Sequence, residues 1–145
     1  MATVLLIDDD ADNLWALQLA LEGGGHHVVL ASSGREALDK LAREPPALIV
    51  TDWEMPEMDG GELCTRVRCK PAFAQVPILV LSATSEPITG PARWSQYIRK
   101  PADIPMLLRI INTLVAARLT SGFIRREYRE PAKCRWPAVN PGCWP

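Results

Sequence analysis

The sequence predicts an α/β protein with a doubly wound, five-stranded parallel sheet. Short apolar runs recur along the first two thirds of the chain. They are nearly continuous rather than alternating, which is typical of strands buried on both faces of a parallel sheet. Segments with helical periodicity separate most of these runs, as expected when helices cover both faces. With 145 residues, the chain is long enough for one domain with a full core.

The five strands are expected where Val, Ile and Leu cluster in runs too short for helices. Helical patterns lie between most of them, and the second helix opens with a Ser33/Glu36 capping box. The last helix carries an apolar stripe typical of a helix packed on a core. The predicted strands are 3–7, 27–31, 47–51, 77–82 and a weaker 96–99, and the predicted helices are 12–22, 33–43, 61–70 and about 104–118.

One connection departs from this alternation. Residues 83–95 lie where a doubly wound sheet would carry its fourth helix, but they include Pro87, Gly90 and Pro91. Proline and glycine interrupt helices, so little more than a single turn fits there. We expect a short or missing helix in this connection.

The composition changes near residue 118. Residues 119–145 contain four prolines, two tryptophans, five basic and two acidic residues, a net charge of +3, whereas residues 1–118 carry −4. The overall charge of −1 therefore conceals an acidic domain followed by a basic tail. We predict a domain over 1–118 and a separate Pro/Trp-containing tail over 119–145.

Composition also limits the cellular setting. No apolar run approaches the roughly 20 residues of a membrane span, so membrane insertion is not expected. The first ten residues lack the basic segment of a secretory signal. The four cysteines show no CxxC spacing, and we expect free thiols in the cytoplasm.

Charged and hydroxyl side chains stand at the carboxyl ends of the predicted strands. In an open parallel sheet, ligands bind beyond the carboxyl ends of the strands. Several carboxylates this close would repel one another unless a cation is present. Oxygen ligands of this kind suit Mg²⁺, with Mn²⁺ as a substitute. The groups are Asp8, Asp9 and Asp10 after the first strand, Asp52 and Ser82 at the ends of the third and fourth, and Lys100 after the fifth.

These parts match what a phosphoryl group needs. A metal ion and an ammonium group neutralise its oxygens, and a hydroxyl donates to another oxygen. Asp52 could then attack phosphorus and carry the group as an aspartyl phosphate.

Four motifs in this order, "LLIDDDADN", "IVTDWEMPEMDG", "LVLSA" and "YIRKP", closely resemble the receiver domain of bacterial two-component response regulators. The resemblance covers residues 1 to about 118. It implies a flavodoxin-like sheet in the order 2-1-3-4-5. It also implies a phosphoacceptor domain, not an enzyme acting on other substrates. We expect a stand-alone receiver, because no output domain is recognisable after residue 118. The phosphoryl donor would be a sensor histidine kinase or a phosphotransfer protein, and phosphorylation would change binding of a downstream protein that the sequence does not name.

The resemblance also assigns roles to individual residues. Asp8 and Asp9 match the acidic metal pair, Asp52 the phosphoacceptor, and Glu54 the residue whose backbone carbonyl reaches the metal. The remaining matches are Ser82 to the hydroxyl that contacts the phosphoryl group, Tyr97 to the switch aromatic, and Lys100 to the family lysine, whose bond to Pro101 is usually cis. Because the family commonly signals through its fourth helix, the unusual 83–95 connection indicates a remodelled signalling surface.

Other interpretations stay open. Asp10 or Asp12 could cap the first helix, and Tyr97 could be an ordinary core aromatic. A pseudo-receiver would act without phosphorylation, through the 83–95 connection and the tail. A metal-dependent phosphatase is disfavoured because Glu54 stands where its second Asp would be expected.

The tail allows several partners. It could be a disordered extension, or it could pack on this domain, on a second copy in a homodimer, or on an acidic partner. Two interleaved acids and the absence of a recognisable helix-turn-helix disfavour nucleic acid.

Overall fold

The computed structural model describes residues 2–87, 93–101 and 103–120, with side chains described up to residue 117. The tail prediction falls almost entirely on residues 121–145, which lie outside the described residues. Among the described residues, none of the helices combines the length and the apolar character needed to cross a membrane.

Five parallel strands form one sheet in the order β2-β1-β3-β4-β5, which confirms the predicted order. The strands are β1 (Thr3–Ile7), β2 (His27–Ala31), β3 (Leu48–Asp52), β4 (Ile78–Ser82) and β5 (Gln96–Arg99). The helices are α1 (Ala11–Gly23), α2 (Gly34–Arg43), α3 (Gly60–Arg68) and α4 (Ile104–Thr120), with a 3₁₀ turn at Pro71–Phe73.

The core lies on both faces of the sheet. Every residue of β3 and β4 is buried, which explains why their sequences are continuous apolar runs. One core cluster packs β-strand side chains such as Leu5 and Ile49 against α2 and α3, and the other packs Leu6 and Val50 against α1 and α4. Because both faces of the central strands are covered, the ends of these strands are where their side chains can reach a ligand.

Side-chain caps fix where three helices begin. The carboxylate of Asp10 accepts from the backbone N–H groups of Asp12 and Asn13, and Asp59 does the same for Glu62. At α2, Ser33 accepts from the Glu36 N–H, but the Glu36 carboxylate accepts from Ser32 rather than from Ser33. The predicted capping box is therefore present in only one direction.

In the connection between β4 and β5, the described residues 83–87 and 93–95 contain no helix, and residues 88–92 lie outside the described part. Arg68 holds the second half of this connection, because its Nε donates to the Arg93 carbonyl. The same guanidinium also donates to the carbonyls of Phe73 and Val76, which lie before β4. Trp94 packs against Trp53, with ring centroids 5.3 Å apart, and Tyr97 contacts both rings. An aromatic cluster thus covers this part of the core.

We predict that Gly60→Ala destabilises the fold. A Cβ at Gly60 would lie 2.7 Å from the carbonyl oxygen of Asp52 and 2.9 Å from the Cα of Trp53, so backbone must move to admit it. The expected loss is about 1–3 kcal/mol in the free energy of unfolding, measured by urea denaturation. Gly23→Ala is the control, because a Cβ there meets nothing within 4 Å; an equal loss in both variants would contradict the steric explanation.

Candidate functional site

Parallel pairing places the acidic residues at one edge of the sheet. β1 pairs with β3 and β3 pairs with β4, all in parallel. Asp8 directly follows β1, and Asp52 and Ser82 end β3 and β4, so the three residues lie at the same edge of the sheet. Oxygens of Asp8, Asp9 and Asp52 all lie within 4.8 Å of one another. Asp8 and Asp52 are 3% and 5% exposed, whereas Asp9 faces solvent. The sequence prediction that these three carboxylates meet is consistent with this geometry.

Lys100 supplies positive charge to this cluster. Its Nζ lies 3.0 Å from Asp52 Oδ1 and 3.9 Å from Asp8 Oδ2. Partial burial alone would lower the pKa of Lys100, but its close contact with Asp52 outweighs burial and raises that pKa. The backbone N–H of Lys100 also donates to the Ser82 carbonyl at 2.6 Å, which ties the lysine to the end of β4. The Lys100–Pro101 bond is cis, as the family resemblance implies.

Burial makes the two inner carboxylates costly to ionise. Desolvation raises the pKa of Asp8 to about 6, against a lowering contribution from the Asp10 N–H, which donates to Asp8 Oδ1. Desolvation also raises the pKa of Asp52, although Lys100 opposes it. Within the described residues, Asp52 Oδ1 is buried and accepts no well-directed hydrogen bond, despite its ion-pair distance to Lys100.

This donor set suits a hard divalent cation. Three carboxylates offer oxygen ligands within one small volume, and one buried oxygen lacks a directed donor. A bound cation would stabilise the ionised forms that burial disfavours. The residues that could hold it are Asp8, Asp9 and Asp52.

The Glu54 side chain turns to the end of β4. The resemblance assigns the backbone carbonyl of Glu54 to the metal, a prediction that the position of the side chain does not address. The Ser82 hydroxyl donates to Glu54 Oε2 at 2.5 Å, and the Ala83 N–H donates to Oε1 at 3.3 Å. Partial burial would raise the pKa of Glu54, but these hydrogen bonds outweigh it and hold that pKa below its usual value.

Thr84 is a site residue that the sequence reasoning missed. Its hydroxyl lies 3.0 Å from the Ser82 hydroxyl and 3.3 Å from Glu54 Oε2, and its N–H donates to Ser82 Oγ. A second hydroxyl two residues beyond Ser82 was the available signal. The Tyr97 hydroxyl donates to the carbonyls of Thr84 and Ser85.

The family model of the response regulator receiver domain matches residues 4–112. An uncharacterized 14.6 kDa protein of Leptolyngbya boryana is 38% identical over 112 residues, which are 74% of this chain and 86% of that protein. The response regulator MprA of Mycolicibacterium vanbaalenii is 37% identical over 116 residues, which are 77% of this chain but only 49% of MprA. The chain therefore spans about half the length of that relative.

A solved structure of a related protein is also similar to this chain. The chemotaxis protein CheY4 of Vibrio cholerae superimposes with a TM-score of 0.74 at 30% identity. The match covers 79% of this chain and 98% of that protein. The chain thus resembles response regulators in sequence and the chemotaxis protein CheY4 in fold.

We predict that Asp8→Asn stabilises the metal-free protein at neutral pH. Between the ordinary pKa of 3.8 and about 6, folded Asp8 keeps a proton that the unfolded chain has released, so the free energy of unfolding falls as the pH rises through this interval. The variant lacks this loss. Its advantage over wild type should grow to about 1–3 kcal/mol between pH 4 and pH 7.

The measurement is urea denaturation in a chelator across this pH range. Asp39→Asn makes the same change in charge at an exposed position of α2 and serves as the control. An advantage of Asp8→Asn that stays constant with pH would contradict the burial explanation.

Proposed function

The chain belongs to the response regulator receiver domain family, and on this premise we propose that Asp52 accepts a phosphoryl group with Mg²⁺ at Asp8 and Asp9. The observation that carries the proposal is the carboxylate cluster with Lys100 at ion-pair distance from Asp52. Receiver domains are signalling domains of two-component systems. The proposed role is accordingly that of a phosphorylated switch and not of an enzyme with a separate substrate.

In the proposed reaction, an Asp52 carboxylate oxygen attacks phosphorus on a phosphohistidine. The new O–P bond forms as the P–N bond breaks, and the electron pair of that bond leaves on the histidine nitrogen. Mg²⁺, held by the carboxylates of Asp8, Asp9 and Asp52 and by the Glu54 carbonyl, would supply positive charge to the transferred oxygens; Mn²⁺ has suitable ligand preferences as a substitute. Lys100 would neutralise a further oxygen, and Ser82 would donate its hydroxyl to another.

The phosphoryl donor is proposed to be a sensor histidine kinase or a phosphotransfer protein. A cavity of about 430 Å³ lies between α1 and α4 and includes Asp8 and Lys100 in its lining. Its other walls are largely apolar, with Leu17, Ile104 and Leu107 among them. A donor whose phosphohistidine must reach Asp52 would approach this edge of the sheet. The cavity is therefore a suitable place for an apolar side chain of the donor protein.

Phosphorylation is proposed to change the surface formed by residues 83–87 and 93–95, the described parts of the connection between β4 and β5. Thr84 contacts Ser82 on one side and, through its carbonyl, the Tyr97 hydroxyl on the other. Tyr97 in turn contacts Trp53 and Trp94. A change at Ser82 would thus reach a surface that a downstream protein could bind.

The first test is intact mass after incubation with acetyl phosphate. Wild type should gain one phosphoryl group only when Mg²⁺ is present, and Asp52→Asn should gain none because it lacks the attacking carboxylate. Asp39→Asn, at an exposed position of α2 outside the cluster, should label like wild type. Mg²⁺-dependent labelling that persists in Asp52→Asn would contradict the assignment of Asp52, and no labelling of wild type would favour the pseudo-receiver instead.

The second test follows the route of the response. Phosphorylation should shift the backbone amide signals of residues 83–86 and 93–97 as well as those beside Asp8 and Asp52, because the hydrogen bonds of Thr84 and Tyr97 connect the two regions. Two-dimensional nitrogen–proton NMR of the phosphorylated protein measures these shifts. Shifts confined to the metal-binding loops would contradict signalling through this connection.

A further inference from the structure

Three hydrogen-bond donors at the end of β4 converge on one carboxylate. The Ser82 hydroxyl and the Ala83 N–H donate to the two oxygens of Glu54 at 2.5 and 3.3 Å, and the Thr84 hydroxyl lies 3.3 Å from Oε2. Glu54 is nevertheless exposed to solvent. Glu54 lies two residues after Asp52 in the sequence. Its carboxylate could be solvated by water, yet it accepts hydrogen bonds from protein donors at the end of β4.

The donors held by Glu54 are of the kind that a phosphoryl group requires. Carboxylate and phosphoryl oxygens are both anionic acceptors, and bonds from hydroxyl and backbone N–H groups to such oxygens are charge-assisted. The bond from Ser82 is the short one of the three. A serine hydroxyl and a backbone amide each have a single hydrogen to donate. Ser82 and Ala83 therefore cannot donate fully to Glu54 and to a phosphoryl group at the same time.

We propose that the Glu54 carboxylate is a built-in competitor of the phosphoryl group, holding the Ser82, Ala83 and Thr84 donors until phosphorylation displaces it. This inference rests on the proposed phosphorylation of Asp52. Glu54 is thereby a positioning residue that sets the rate of phosphorylation through Ser82 and its neighbours. Its exposure allows the displaced side chain to swing into water without disturbing the core.

The competition has two separable parts, occupation of the donors and repulsion between negative charges. Glu54→Ala removes both. Glu54→Asp keeps the charge but falls one methylene short of the end of β4, so it releases the donors only. Both variants retain the backbone carbonyl at position 54, which leaves the proposed metal contact in place. Glu57→Gln, at an exposed position of the same loop, is the matched control for loss of charge.

The experiment measures the initial rate of acetyl phosphate labelling by intact mass at saturating Mg²⁺. Both Glu54 variants should label roughly 10-fold faster than wild type, the factor expected when a charge-assisted hydrogen bond no longer has to be broken. Glu57→Gln should label like wild type. A second readout needs neither metal nor phosphodonor: the Ala83 amide proton signal of the metal-free protein should move in both Glu54 variants and stay in place in Glu57→Gln.

The outcomes separate this inference from the proposed function. Equal labelling rates in wild type and both Glu54 variants would overturn the inference and leave the phosphoacceptor intact. Faster labelling in Glu54→Ala alone, with Glu54→Asp like wild type, would also overturn it, because repulsion at a distance would then account for the effect. Failure of every variant to label would overturn the inference and the proposed function together.

Discussion

Burial of carboxylates that lie close together at one edge of the sheet is the constraint on which the rest of the site depends. Oxygens of Asp8, Asp9 and Asp52 lie within 4.8 Å of one another, and the pKa values of Asp8 and Asp52 are raised by burial. Lys100 offsets part of this charge from the end of β5. The protein environment therefore disfavours the ionised carboxylates. A bound cation would stabilise these ionised forms, so its contribution to the free energy of the site is large.

The sheet tolerates this conflict because its stability comes from elsewhere. β3 and β4 are buried throughout their length, and apolar clusters on both faces hold the strands in register. The two buried carboxylates, Asp8 and Asp52, lie one residue beyond β1 and at the last residue of β3, where they add no unpaired charge to the interior of either cluster. A local violation of burial rules at a strand end, surrounded by consistent packing, is typical of a functional site.

The sequence predicted the sheet and the carboxylate cluster well because both follow from position along the strands. Continuous apolar runs identify buried parallel strands, and the residues that end such strands, Asp52 and Ser82 among them, share one edge by topology alone. The direction of flexible side chains does not follow from position. The Glu54 carboxylate could have been hydrated by water alone. Only the folded structure shows that it accepts a hydrogen bond from Ser82 at the end of β4. Tyr97 likewise bonds the carbonyls of Thr84 and Ser85, a contact that its motif does not encode.

The β4 end couples the site to the unusual connection that follows it. Ser82 accepts the Lys100 N–H through its carbonyl, donates its hydroxyl to Glu54 and accepts the Thr84 N–H at the same hydroxyl oxygen. A ligand that takes the Ser82 hydroxyl must therefore alter the partners of Glu54 and Thr84 together. Thr84 also carries the carbonyl that holds the Tyr97 hydroxyl. Since no helix intervenes in the described residues of this connection, this chain of hydrogen bonds provides a direct path from the carboxylate edge to the aromatic cluster.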